Sequence, residues 1–110
     1  MKIKLSDKGS NFFVDAKKVG PLGKFIGLMF KSNKTECLLF DFSKPVSISI
    51  HSCFVFFPFL AVWIDGKYSV LEKRVIYPWK FSVRPKSKFN MLVEIPFNEK
   101  NRKVIKSLMK

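Results

Sequence analysis

Residues 47–65, SISIHSCFVFFPFLAVWID, hold no lysine, arginine, aspartate or glutamate before the last position, in a chain otherwise crowded with lysine. A charge-free run of this length is either a membrane helix or the interior of a β-rich domain, and a membrane-spanning helix needs about 20 mostly apolar residues. The first half of the run fails that test. In PVSISIHS, Val46, Ile48 and Ile50 alternate with Ser47, Ser49 and His51, which is the two-residue period of a half-buried strand. The second half, residues 53–64, is twelve residues long, is broken by Pro58 and is rich in aromatic and β-branched types, so it is too short to cross a bilayer as a helix. The spacing predicts strands over 54–57 and 60–64. Asp65-Gly66 then predicts a hairpin, glycine supplying the positive φ of a tight primed turn, with a partner strand over 68–74.

Outward from this stretch, KIKL and FFVDAKK predict one or two edge strands, and ECLLFDF and FNMLVEIPF, short apolar runs bounded by charge or proline, predict further strands. GPLGKFIGLMFK predicts a turn and a short N-terminal helix, with proline in its first turn and Phe25, Leu28 and Met29 on its buried face. NEKNRKVIKSLMK predicts a C-terminal helix capped by Asn98, with Glu99 at the positive end of its dipole and Val104, Ile105, Leu108 and Met109 as its apolar stripe. The chain has 110 residues and is 47% hydrophobic, with 13 Phe and 2 Trp, which suits one domain over 1–110 that buries a core without metal or disulfide staples. The expected fold class is mainly β, a β-sandwich of jelly-roll kind or a distorted barrel, with the two helices at its ends.

Cys37 and Cys53 are too few for a secreted disulfide framework. Each sits in an apolar run, as a buried reduced thiol would; a bond between neighbouring strands is the alternative, and no CxxC or HxxxH spacing supports a metal. The N-terminal MKIKLSDKGSNFF lacks the uninterrupted apolar stretch of a signal peptide, so cytoplasmic residence is the expectation.

The formal net charge is +13, from 21 basic and 8 acidic residues, which suggests a polyanion partner such as nucleic acid. Only three of the basic residues are arginines, the type favoured for reading phosphates and base edges, and a lysine surplus also suits a plain solvated surface. The charge is most suggestive over 73–88, KRVIYPWKFSVRPKSK, where Lys73, Arg74, Lys80, Arg84, Lys86 and Lys88 interleave with Tyr77, Trp79 and Phe81 and no acid intervenes. Single-stranded nucleic acid requires that combination, cations for phosphates and rings for bases. The competing expectation is that these rings point into the core while the lysines face water. The candidate binding surface comprises His51, Trp79, Lys80, Arg84 and Lys86.

Catalytic chemistry has little support. His51 is the single histidine, its neighbours Ser52 and Cys53 point to alternate sides of any strand, and no acid in the segment orients it. The acids are scattered singly, and no glycine loop cradles a phosphate. No catalytic residue, cofactor site or metal site can be read out, so the expected function is a small non-enzymatic binding or interaction module of unknown ligand. Single-stranded nucleic-acid binding is one alternative; the other is an enzyme on a small substrate, which requires His51, Trp79 and Arg84 to converge on an apolar cleft. The phenylalanine content is also compatible with an exposed apolar patch and a homodimer.

The order GLMFK (27–31), LLFDF (38–42), FVFFPFLAVWID (54–65), YPWK (77–80) and VEIPF (93–97) resembles the prokaryotic family known as domain of unknown function 192. The resemblance spans most of the chain and implies a jelly-roll β-sandwich with short helices, without catalytic residues to carry over. Members commonly have an aspartate two residues after the proline of the FFP element, where this chain has Leu60. The family's further turn and strand beyond the C-terminal helix have no counterpart after Met109. The absence of an export signal resembles the leaderless members.

Overall fold

The computed structural model describes residues 1–19, 28, 31–32 and 34–110. They contain strands β1 Lys2–Asp7, β2 Ser10–Lys18, β3 Cys37–Val46, β4 Phe59–Ile64, β5 Val70–Ile76 and β6 Phe89–Pro96, followed by a C-terminal helix, Arg102–Leu108. The strands form one sheet in the order β1-β2-β3-β6-β4-β5. Neighbours are antiparallel except β2 and β3, which run parallel with Ala16 opposite Cys37. A parallel pair cannot be joined by a tight turn, so residues 19–36 intervene between those strands.

The sheet curls until its two edge strands meet at one end. There the Ser6 amide donates to the Tyr68 carbonyl at 3.0 Å, and Lys73 forms an ion pair with Asp7 across the seam. The inside of the curl packs Leu5, Val14, Leu39, Val62, Val93 and Ile95 against Ile105 and Leu108 of the helix. The outside packs Leu38, Phe40, Phe59, Trp63, Phe89 and Leu92 beneath Val55, Phe57 and Val83, which come from irregular segments. Covering both faces explains why β4, FLAVWI, has no polar alternation: all six of its residues are buried.

The mainly β reading with a C-terminal helix therefore holds, and among the described residues the curl of a single sheet, a half-barrel, replaces the two facing sheets of a sandwich. The short N-terminal helix with Phe25 and Met29 lies outside the described residues; Leu28 of that segment is a buried turn residue. Residues 47–49 and 53–57 are not strands; of the alternating segment, Val46 ends β3 opposite Phe89 and Ile50 makes an isolated bridge to Val83. The FFVDAKK strand is internal to the sheet, bonded to β1 on one side and β3 on the other.

The β4–β5 hairpin forms as expected, by a different turn. Asp65 accepts from the amides of Lys67 at 2.8 Å and Ser69 at 2.9 Å through its side chain, and the left-handed residue is Tyr68, φ 63°, rather than Gly66. Asn98 caps the turn ahead of the helix, accepting from the Asn101 amide at 2.9 Å, while Asn101 occupies the N-cap position. Of the predicted stripe, Ile105 and Leu108 are buried, Val104 is partly buried, and Met109 is 51% exposed. No helix among the described residues is long and apolar enough to cross a membrane.

Candidate functional site

Two irregular segments, 47–58 and 77–88, lie across the outer face of the sheet and are joined to each other. Ile50 and Val83 exchange backbone hydrogen bonds of 2.8 Å in both directions. One step on, the Ser52 amide donates to the Lys80 carbonyl at 2.8 Å, and the Trp79 amide donates to the Ser52 carbonyl at 2.9 Å. The Ser52 hydroxyl completes the junction, donating to the Tyr77 carbonyl at 2.6 Å and accepting from the Lys80 amide at 2.7 Å. Pro58 ends the first segment and β4 begins directly after it.

Within the first segment the side chains divide by alternation. Val55 and Phe57 enter the outer core, while Phe54 and Phe56 point to water. In the second segment Val83 and Pro85 are buried and the aromatic residues are not: Tyr77 is 59% exposed, Trp79 46% and Phe81 82%. The expectation that these rings enter the core is therefore overturned. Trp79 stands between two phenylalanines, its ring centroid 4.9 Å from Phe54 and 6.2 Å from Phe56, both edge-to-face. Phe54 (φ 59°) and Trp79 (φ 65°) both adopt left-handed backbone, which bulky side chains rarely do and which costs roughly 1–2 kcal/mol per residue. Such strain persists where the surroundings over-determine it, typically at sites of function.

The charges on this face are positive. Lys80, Arg84, Lys86 and Lys88 are exposed and form no ion pair with any described residue. Arg84 Nε donates to Ser49 Oγ at 3.3 Å, which holds the guanidinium beside the first segment. Arg74, on β5, lies 5.6 Å over the Trp63 ring and is paired with Glu72, whose carboxylate also accepts from the Lys86 amide at 2.9 Å. Partial burial works to raise the Glu72 pKa, but the Lys86 amide and the Arg74 guanidinium together hold it below its ordinary value. Lys73, counted with this segment from the sequence, belongs to the seam with Asp7 instead.

The structure brings the sequence-predicted residues together on one pair of loops. His51 precedes the junction residue Ser52, Trp79 and Lys80 are bonded to Ser52, and Arg84 and Lys86 follow the Ile50–Val83 bridge. His51 is exposed, with Nδ1 accepting from the Cys53 amide at 3.2 Å, so that nitrogen is engaged in a local turn. A groove of about 660 Å³ lies along the helix, bordered by Phe97, Arg102, Ile105 and Met109, and includes none of His51, Trp79 and Arg84. No group of three or more His, Cys, Asp or Glu is gathered among the described residues.

The sequence reading missed Phe54 and Phe56, which it placed on a strand, and Ser52. No local signal separates them: in FVFFPF residues of both parities are apolar, so the pattern does not mark which side faces water. Both cysteines are free; Cys37 is buried, and desolvation pushes its thiol up to about 11. Glu94 lies in the middle of β6, and desolvation pushes its carboxyl up to about 8. The Trp63 indole nitrogen, on the same outer face, has no hydrogen-bond partner among the described residues.

No family model and no curated protein matches the chain. Two solved structures share its fold. A protein of unknown function from Novosphingobium aromaticivorans superimposes with a TM-score of 0.76 at 11% identity, covering 94% of this chain and 76% of its own. A Sinorhizobium meliloti protein provisionally described as a transcription regulator superimposes with a TM-score of 0.75 at 13% identity, covering 92% of this chain and 81% of its own. At such identities the likeness concerns the fold alone.

Proposed function

We propose that the chain is a small binding module whose working surface is the joined pair of segments 47–58 and 77–88, and that its ligand is single-stranded nucleic acid. The observation that carries this reading is the outward projection of Phe54, Phe56, Tyr77, Trp79 and Phe81 from segments that also present Lys80, Arg84, Lys86 and Lys88. Stacking a base on an exposed ring is worth about 1–3 kcal/mol and tolerates any sequence, while the cations neutralise phosphates and release counterions. A plain solvated surface accounts for the lysines but not for five large aromatic side chains held in water, two of them on strained backbone.

Binding here needs no reacting group. His51 serves as a polar edge of the surface, and the face offers contact area and charge rather than a nucleophile or a base. Replacing Arg84 and Lys86 together with alanine is expected to abolish retention on immobilised single-stranded DNA at moderate salt. It should also lower the slope of log affinity against log salt by about 1.4, since each phosphate contact on a single strand contributes about 0.7. Unchanged retention and slope in the double variant would remove the cationic half of the proposal.

A further inference from the structure

We propose that Ser52 is the positioning residue of this face, a latch that holds Trp79 and Phe54 in the arrangement a ligand meets. The inference rests on the binding reading above and concerns a residue that touches no ligand. Ser52 is fully buried although its neighbours His51 and Phe54 are exposed. Its amide, carbonyl and hydroxyl together reach Tyr77, Lys80, Trp79 and Val55, so the aromatic segments converge on one side chain and one peptide unit.

The hydroxyl acts in both directions. It donates to the Tyr77 carbonyl at 2.6 Å and accepts from the Lys80 amide at 2.7 Å, which brackets the Pro78-Trp79 turn from either end. A serine hydroxyl is small enough to be enclosed there and supplies both a proton and a lone pair; alanine supplies neither and leaves a carbonyl and an amide unpaired. With the bracket closed, Trp79 is kept left-handed at φ 65° and its ring lies against Phe54, itself held at φ 59°. Without it, only the Ser52 backbone bonds to Lys80 and Trp79 hold the turn, so Trp79 loses the constraint at both ends of Pro78-Trp79 and its ring parts from Phe54. The latch thus holds the rings ready before a ligand arrives, which reduces the ordering cost of binding.

The test compares wild type, Ser52→Ala and Ile105→Val, the last a mild core change on the opposite face of the sheet, all at a temperature where each is fully folded. Two readouts are taken: the near-ultraviolet circular dichroism band that the variant Trp79→Phe removes, and the affinity for a fluorescent oligothymidylate at low salt. Expected is loss of the Trp79 band in Ser52→Ala, with affinity weakened at least about tenfold. Ile105→Val should keep both. A wild-type band and wild-type affinity in Ser52→Ala would overturn the latch. Loss of the band in Ser52→Ala with no binding by wild type would support the latch and overturn the nucleic-acid reading, so the two failures are distinguishable. Should Ser52→Ala not fold, Ser52→Cys, close in volume but a weak donor and acceptor, is read in the same way.

Discussion

Replacing Glu94 with glutamine is expected to stabilise the protein by about 3 kcal/mol at pH 7 and by almost nothing at pH 4. Glu94 is enclosed on a strand covered from both sides, opposite Leu38 on β3 and Ala61 on β4, and desolvation raises its pKa from 4.5 to about 8. The native state therefore keeps a proton that the unfolded chain releases above pH 4.5. Between that value and about 8 the native state binds more protons than the unfolded state, so stability falls as pH rises through this window and levels off beyond it. Glutamine has the same shape and no titration, which removes the slope. Urea unfolding of both proteins at pH 4, 7 and 8.5 measures the difference, and parallel stability curves would mean that Glu94 is ionised in the native state or is solvated.

The largest loss of stability is expected from Leu108→Asp. Leu108 is 0% exposed and, with Ile105, joins the helix to the inner core of the curl. Truncating such a leucine costs about 2–5 kcal/mol through lost burial and the cavity left behind, and an unpaired carboxylate in its place adds a desolvation penalty of several kcal/mol. Against an ordinary domain stability of about 5–15 kcal/mol, the cooperative thermal transition should be lost or lowered by tens of degrees. Met109→Asp, one residue on and half exposed, should shift it by no more than a few degrees. Equal effects of the two substitutions would mean that the helix is not docked through the Leu108 side.

These contrasts also mark which features local sequence pattern carries and which depend on tertiary packing. Strands β3, β4 and β6 announce themselves as short apolar runs and β5 through the Asp65-Gly66 turn signal ahead of it, and the twelve-residue limit on residues 53–64 excludes a bilayer helix from length alone. What the sequence hides is the second covering of the sheet. FVFF looks like a strand because alternation and aromatic content do not distinguish a strand from a loop that buries every second side chain. Val55 and Phe57 go in and Phe54 and Phe56 go out; the backbone bonds to Trp79, Lys80 and Val83 are made by Ile50 and Ser52 just ahead, and Val55 donates back to the Ser52 carbonyl. The same covering buries Glu94, which local pattern would place on a wet face.

The basic and aromatic residues of the candidate site were legible as a cluster because 73–88 carries no acid. Their orientation was not, since exposure of Tyr77, Trp79 and Phe81 depends on a partner segment some 25 residues away, tied by the Ser52–Tyr77 hydrogen bond across 25 positions. Nor does composition show left-handed backbone at Phe54 and Trp79, for neither type favours it. Lys73 illustrates the converse: in sequence it belongs to the cluster, in space it pairs with Asp7 where the two edge strands meet.

Tryptophan fluorescence during titration with a short mixed-sequence single-stranded oligonucleotide, first at low and then at moderate salt, decides whether this face binds nucleic acid. Trp63 is 0% exposed and serves as an internal reference, whereas Trp79 is 46% exposed between Phe54 and Phe56. The predicted result is saturable quenching at low salt that reverses as salt rises and is absent from the variant Trp79→Phe. A flat titration at low salt, or quenching that persists unchanged in Trp79→Phe, would contradict the claim that this face stacks bases and neutralises phosphates.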